Sequence, residues 1–347
     1  MESGQLVAVF GAYGHTGRFV VAELTARGFV PVLSGRNRQA LDELAREHGL
    51  ESRAASVDDA TSLDRALAGT VAVINCAGPF ASTTGPVIEA ALRAKIPYLD
   101  VAAELEANLD TFAHYREQAR DAAAVIVPAM AFFGGLGDLL VTAAMGDWTE
   151  ADEAHIAYAL SSWHPTAGTR RSGSVSRERR GARRLRYRGG QWEHRDDAAP
   201  TGQWNFPEPV GSRPVIGEFT MADVVTVAQH LAIPDVTTYM TTQAVQDIAD
   251  PDTPAPSATD QNGRSDQTFL VDVVVRSAGA ERRAAARGQD IYAVTAPLVA
   301  EALERVLSDR IKTLGVVSAG EIFDAADFLH ALAPHVTVDL YGQKQHA

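Results

Sequence analysis

Three glycines, Gly11, Gly14 and Gly17, follow the apolar run Val7-Ala-Val-Phe10 and precede Arg18. This spacing makes a tight strand-to-helix turn in which the backbone can approach a pyrophosphate. The anion then rests on unpaired N–H groups and on the positive end of the next helix dipole. The next apolar run ends Leu33-Ser-Gly-Arg-Asn-Arg38, and Arg36 lies 19 residues beyond Gly17. An Asp or Glu at this point would receive the 2′-hydroxyl of NAD, and none is present. Arg36 instead offers a guanidinium fork suited to a 2′-phosphate, with Ser34 and Asn37 as neutral donors. The sequence therefore predicts NADP (NADPH) rather than NAD. The plain alternative is that Arg36 and Arg38 only solvate a strand end.

Two later strand ends should line the same groove, because ligands lie beyond the carboxyl edge of a parallel sheet. Asp58, after Val57, would flank the adenine. The loop Asn75-Cys76-Ala77-Gly78-Pro79-Phe80 is built of small residues against which ribose and nicotinamide can lie. Cys76 reads better as a small buried apolar residue than as a nucleophile, since no basic neighbour in sequence would lower its pKa.

Hydride transfer needs orientation, a proton carrier and a dry pocket. The catalytic candidates are Glu104, after the fifth strand, and His164, on a loop facing the cleft; each has a structural alternative, dipole stabilisation and a surface loop. Asp138 reads as a helix cap, and Tyr98 and Tyr158 as core aromatics. The ten histidines lack metal-ligand spacing and the single cysteine excludes a Cys-rich zinc site, so no metal is expected. No Gly-x-Ser-x-Gly elbow is present.

Elements that position these groups follow from periodicity. Apolar runs at 6–10, 29–33, 52–56, 71–75, 98–101 and 125–127 alternate with helical patterns, including 85–95 and 105–122. Asn37 opens a helix that Gly49 closes, and Asp58 or Asp59 caps the next. Such alternation gives right-handed βαβ units and a parallel sheet covered on both faces. After Pro128 the pattern changes. Helices are expected at 136–145, 222–231, 295–308 and 321–332. Strands are expected at 155–160, 172–179, 183–188 and 237–245, in a hairpin turning at 277–280, and near 336–340. Residues 249–266 form a proline-rich polar loop. The fold class is α/β: an N-terminal Rossmann-type parallel sheet with a second α+β domain built on a mainly antiparallel sheet. The expected division is 1–130 for NADP binding, 131–315 for substrate and dimerisation, and 316–347 as a C-terminal helix and strand packing back on the Rossmann domain.

The chain has 347 residues, 46% hydrophobic, with a net charge of −13 that argues against nucleic acid as a partner. No apolar run approaches the ~20 residues a membrane span needs, and no targeting segment is expected. One cysteine suits a cytoplasmic location. Residues 169–195 nevertheless hold ten arginines against Glu178 and Glu193. This island reads either as a cationic wall for an acidic substrate or as a solvated face or subunit contact.

These motifs resemble the saccharopine dehydrogenase-like NADP-binding oxidoreductases. The likeness rests on Gly11-Ala-Tyr-Gly-His-Thr-Gly-Arg18, Leu33-Ser-Gly-Arg-Asn37, Asn75-Cys-Ala-Gly-Pro-Phe80 and Tyr98-Leu-Asp-Val-Ala-Ala-Glu104. The run Gly288-Gln-Asp-Ile-Tyr-Ala-Val-Thr-Ala296, with Gly315-Val-Val-Ser-Ala-Gly-Glu-Ile-Phe323, is also similar to the tail of that family's second domain. The resemblance places Gly11, Tyr13, Gly14, His15, Thr16, Gly17, Gly35, Arg36, Asn37, Asp58, Ala77, Gly78, Pro79 and Phe80 at cofactor-contacting positions; Ser34 and Cys76 join them on the reading above. It implies reduction of a C=N, C=C or C=O bond in a small metabolite. Residues 150–265 match no motif of the saccharopine-forming members, whose substrate joins an amino acid to a dicarboxylate. The alternative is a non-catalytic NADP-binding sensor or scaffold. A homodimer through the second domain's sheet is expected.

Overall fold

The computed structural model describes residues 4–341. The first part alternates β1 (Leu6–Phe10), α1 (His15–Ala26), β2 (Val30–Gly35), α2 (Arg38–His48), β3 (Ser52–Ala54) and α3 (Ala60–Leu67). It continues with β4 (Ala72–Asn75), α4 (Phe80–Ala94), β5 (Tyr98–Asp100), α5 (Leu105–Asp121) and β6 (Val125–Val127). Local chemistry sets these limits. Asn37 and Asp59 accept the Ala40 and Ser62 amides to start α2 and α3, and Gly49 ends α2. Helix α4 begins at Phe80, before the expected residue 85, because the Glu104 carboxylate receives its first amides.

All pairs in this sheet are parallel, in the order β3-β2-β1-β4-β5-β6 and then a short strand from the far end of the chain. The chain direction reverses between β1 and β4, which opens a crevice at their carboxyl ends.

A wide irregular turn over Phe132–Leu136 leads into α6 (Gly137–Met145), a largely apolar helix buried on nearly every side. Then follow β7 (Glu153–Leu160), α7 (Ala167–Arg179), β8 (Arg184–Arg188), β9 (Gln191–Arg195), β10 (Thr201–Asn205), β11 (Ser212–Gly217), α8 (Asp223–Ala228), β12 (Asp235–Thr241) and α9 (Thr242–Ala249). The last group is β13 (Thr268–Ser277), β14 (Ala280–Gln289), α10 (Thr295–Leu307), β15 (Gly315–Val316), α11 (Ala319–Ile322), α12 (Ala325–Ala331) and β16 (Val336–Tyr341). The second sheet runs β10-β11-β12-β7-β13-β14-β16, with the β8–β9 hairpin attached to β12. Only the β12–β7 pair is parallel, so the mainly antiparallel character holds.

Three elements differ from the sequence expectation. Residues 172–179 are helical, not extended: Thr166 caps α7 by accepting the Thr169 amide, and a run so poor in apolar residues has no face to bury in a sheet. The strand expected over 237–245 stops at Thr241, and α9 follows, burying Ala244. At the C-terminus it is β15 that joins the first sheet, beside β6. The last strand, β16, instead pairs with β14 in the second sheet, and α11 and α12 pack on α6.

One apolar cluster runs unbroken from Val7 to Val336, so the two sheets share a core. Helix α10 packs on α1 and is tied to it by buried charges. Arg27 donates to Glu23 (2.7 Å), Glu301 (2.9 Å) and Glu304 (2.7 Å), and Arg305 donates to Glu301 (2.8 Å). Glu301 and Arg305 are only 6% and 3% exposed. Removing one partner of such a cluster strands the remaining charge. Glu301→Ala is expected to lower the urea-unfolding free energy at pH 7 by about 3 kcal/mol. Arg93→Ala, at an exposed pair with Asp64, should cost under about 1 kcal/mol in the same measurement.

Candidate cofactor and active site

The site begins where two backbones touch. Gly11 has φ 90°, and its amide donates to the Ser34 carbonyl at 2.8 Å. A Cβ at Gly11 would stand 2.8 Å from the Ala77 nitrogen, and one at Gly17 would stand 2.3 Å from the Gly11 oxygen. The β1–α1 turn therefore lies directly on the β4–α4 loop and on the first turn of α1, at the switch point of the sheet. No side chain caps α1, so its first amides are available to an anion. Arg36 is exposed at the tip of β2 and lines the same cleft, as does Asp58 after β3.

The loop after β4 is held from below. The Asn75 side chain accepts the Ala77 amide at 3.0 Å, and Thr83 donates to the Ala77 carbonyl at 2.6 Å. Asp100, fully buried beneath it, accepts the Ala102 and Ala129 amides and the Tyr98 hydroxyl. Burial pushes the Asp100 carboxyl up to about 6, against the opposing pull of these hydrogen bonds. Burial, with a smaller contribution from Asp100, pushes the Cys76 thiol up as well, so it is not an activated nucleophile.

The opposite wall comes from the second part of the chain. Helix α7 presents Gly168, Thr169, Ser172, Gly173 and Ser176 to the cleft, successive turns of one small polar face. The Ser172 hydroxyl would be 2.7 Å from a Cβ at Gly78, so α7 closes over the cofactor loop. Phe132, Phe133, Trp163, Phe219, Met221, Ile291 and Tyr292 form the rest of the wall. His15, in the glycine turn, meets the Tyr292 ring edge-on at 5.2 Å and the Phe19 ring at 5.3 Å. Burial lowers the His15 pKa, only partly offset by Asp290, so its imidazole is neutral at pH 7. Its buried Nε2 has no protein partner. The cleft, open on one side, has a volume of about 680 Å³, enough for a dinucleotide end and a small substrate.

Of the residues expected to contact cofactor, Gly11, Tyr13, Gly14, His15, Thr16, Gly35, Arg36, Asp58, Cys76, Ala77, Gly78, Pro79 and Phe80 line this cleft. Three do their work behind it. Gly17 packs on the turn, Ser34 is buried and donates to the Arg53 carbonyl at 2.9 Å, and Asn37 caps α2. Both catalytic candidates have structural duties. Glu104 lines the cleft, but its two oxygens accept the Phe80 and Ala81 amides at 2.9 and 3.1 Å. The His164 imidazole is not among the cleft-lining groups; its backbone amide donates to Gln267 and its carbonyl accepts from Tyr292. Asp138 does not cap its own helix; it accepts from the Gly320 amide (2.8 Å) and pairs with His230 (2.7 Å).

Much of the charge of the arginine island is paired within the chain, while Arg171 and Arg180 also line the cleft. Arg179 pairs with Asp110, Arg180 with Glu106, Arg184 with Glu218 and Asp197, Arg186 with Glu193 and Glu218, and Arg195 with Asp197. Arg170 donates to the Asp250 and Thr253 carbonyls, anchoring the polar loop after α9. The aromatic wall was not legible as a site in sequence. Its signals were local: the Phe132-Phe133-Gly134-Gly135 break after β6, and Tyr292 within the run Gly288–Ala296 that the sequence resemblance singled out.

Residues 7–129 match the saccharopine dehydrogenase NADP binding domain. A probable mitochondrial saccharopine dehydrogenase-like oxidoreductase of Arabidopsis thaliana is 32% identical over 142 residues, 36% of this chain. The chain covers 31% of that relative's length. The apo saccharopine dehydrogenase (L-Glu forming) of Saccharomyces cerevisiae has the same fold, with a TM-score of 0.67 at 13% identity over 98% of this chain and 100% of that one. The glycine turn, the free guanidinium and the uncapped helix thus define a dinucleotide-binding protein. Residues 7–129 are thus similar to the NADP binding domain of saccharopine dehydrogenases, and the cofactor of this domain is NADP(H).

The buried acid beneath the loop gives a pH test. Folding raises the Asp100 pKa from the usual 3.8 to about 6. Its contribution to stability is therefore full below about pH 4 and is lost as the pH rises through about 6. Asp100→Asn keeps the acceptor for both amides and removes the charge. Urea unfolding at about pH 4 and pH 7 is expected to show the variant gaining on the parent as the pH rises, by on the order of 2 kcal/mol. A constant difference would contradict the assignment.

Proposed function

We propose that the chain is an NADPH-dependent oxidoreductase that reduces a C=N, C=C or C=O bond of a small molecule in the cleft between its two sheets. One observation carries this reading. The glycine turn and Arg36 line a single cleft with an aromatic wall from the second sheet's side of the molecule. Bound NADPH would supply a hydride from its nicotinamide ring. The residues of this chain bind and orient. The amides of His15 and Thr16 would receive the pyrophosphate, Arg36 would hold the 2′-phosphate, and Ala77–Phe80 with Ser172 would hold the nicotinamide end. The aromatic wall excludes water, which preserves the hydride and strengthens each polar contact inside. A neutral His15 leaves the phosphates to the amide dipoles. The alternative of an NADP-binding sensor draws support from the structural duties of Glu104 and His164. Oxidation of NADPH by a substrate panel, followed at the reduced cofactor's absorbance, separates the two.

The single free Cys76 supports a reducing compartment, and we place the protein in the cytoplasm, although the plant relative is described as mitochondrial. Among the described residues no helix is long and apolar enough to cross a membrane. A homodimer through the outward face of the second sheet is supported by the Trp204–Tyr239 aromatic pair (5.0 Å) on that face. Light scattering should then give about twice the chain mass of 37.0 kDa.

The cofactor assignment is tested by titrating NADPH and NADH. A charge-assisted bond to the 2′-phosphate is worth about 1.5–3 kcal/mol, so Arg36→Ala should weaken NADPH roughly 10- to 100-fold. NADH affinity should change by less than about twofold, because NADH lacks the phosphate. Equal affinities, unaltered by the substitution, would overturn the phosphate role of Arg36.

A further inference from the structure

The part of the cleft beyond the cofactor loop has a chemistry of its own. Phe133 and Trp163 lie 5.4 Å apart between ring centres, and Trp163 lies 6.1 Å from Phe219. Met221 and Ile248 complete this lining. Phe133, Trp163 and Met221 are no more than 8% exposed, so the surface they offer is dry.

Most polar groups interleaved with this wall are already committed; the Ser172 hydroxyl and the His15 Nε2 are not. The Tyr292 hydroxyl is shared with Thr169 (3.0 Å), the Trp163 indole N–H (3.4 Å) and the Thr166 amide (3.3 Å). Thr295 donates to the Ile291 carbonyl and accepts the Phe132 amide. Glu104 holds the start of α4, and Arg180 is held by Glu106. Arg171 is exposed on α7, where its guanidinium remains solvated. A carboxylate among these rings would lose its water, and Arg171, the cleft-lining arginine of α7 without an acidic partner, lies at the exposed surface rather than among them. An apolar body would gain from the same burial.

We propose that this compartment admits a neutral, largely apolar substrate and rejects acidic ones, with Phe133, Trp163, Phe219, Met221 and Ile248 setting the preference. The inference rests on the oxidoreductase reading and names the substrate class of that site. The Ser172 hydroxyl, over the cofactor loop, orients the one polar atom such a substrate needs.

The test uses the full chain with saturating NADP and the neutral fluorescent probe N-phenyl-1-naphthylamine. The expected result is one probe bound per chain, undisturbed by millimolar 2-oxoglutarate. Ile248→Asp and Met221→Lys each place a charge in the wall and should weaken the probe roughly tenfold or more. NADPH affinity, measured in the same samples, should stay within about twofold of the parent. Ile248 is only partly buried, which keeps its variant foldable. NADPH binding without probe uptake overturns this inference alone. So does uptake unchanged in both variants, or displacement by 2-oxoglutarate. A parent chain that binds no NADPH overturns the oxidoreductase reading and this inference with it.

Discussion

Two backbones in contact at the switch point constrain the whole molecule. Gly11 lies so close to Ala77 that a single methyl group would separate them, and Gly17 lies equally close to Gly11. That contact brings the β1–α1 turn and the β4–α4 loop to one crevice, with free amides on one side and small residues on the other. Asn75, Thr83, Asp100 and Glu104 are spent on keeping the loop in place. Side chains that could carry acid–base chemistry are thus used as scaffolding for the loop.

The second sheet acts on this crevice through three attachments. Helix α7 lies over the cofactor loop with its small-residue face, Tyr292 meets His15, and α10 is tied to α1 through the Arg27–Glu301–Arg305 cluster. The shared apolar core makes these attachments firm, so the cleft is a standing feature of the fold. The arginine-rich segment contributes mainly by pairing with acids on α5 and around β9–β11. Much of its charge is structural, and of its ten arginines Arg171 and Arg180 line the cleft.

How much of this was legible in the sequence depended on how local the signal was. The six strands and the glycine turn of the first part were readable because propensity, capping and spacing agreed there. Asn37, Gly49 and Asp59 mark their helix ends by local chemistry alone. The second part resisted because its elements are specified by tertiary contacts. α7 reads as a polar strand until its small residues are seen to fit beneath Gly78. The β10–β11 hairpin carries few buried residues to announce it. For the site, most residues expected at the cofactor line one cleft, whereas the hydrogen-bond duties of Glu104 and of the His164 backbone were not legible because their partners lie far along the chain, at Phe80, Gln267 and Tyr292. Trp163, Phe219 and Tyr292 converge only in three dimensions.

The account stands on NADPH occupying the crevice above β1 and β4, with the aromatic wall facing its reactive end. A crystal structure of the NADP complex tests this most directly. The predicted result is a cofactor whose pyrophosphate lies on the first turn of α1, whose 2′-phosphate meets Arg36, and whose nicotinamide lies between the Ala77–Phe80 loop and Trp163. A cofactor bound elsewhere, or one whose nicotinamide points to solvent away from that wall, would contradict it.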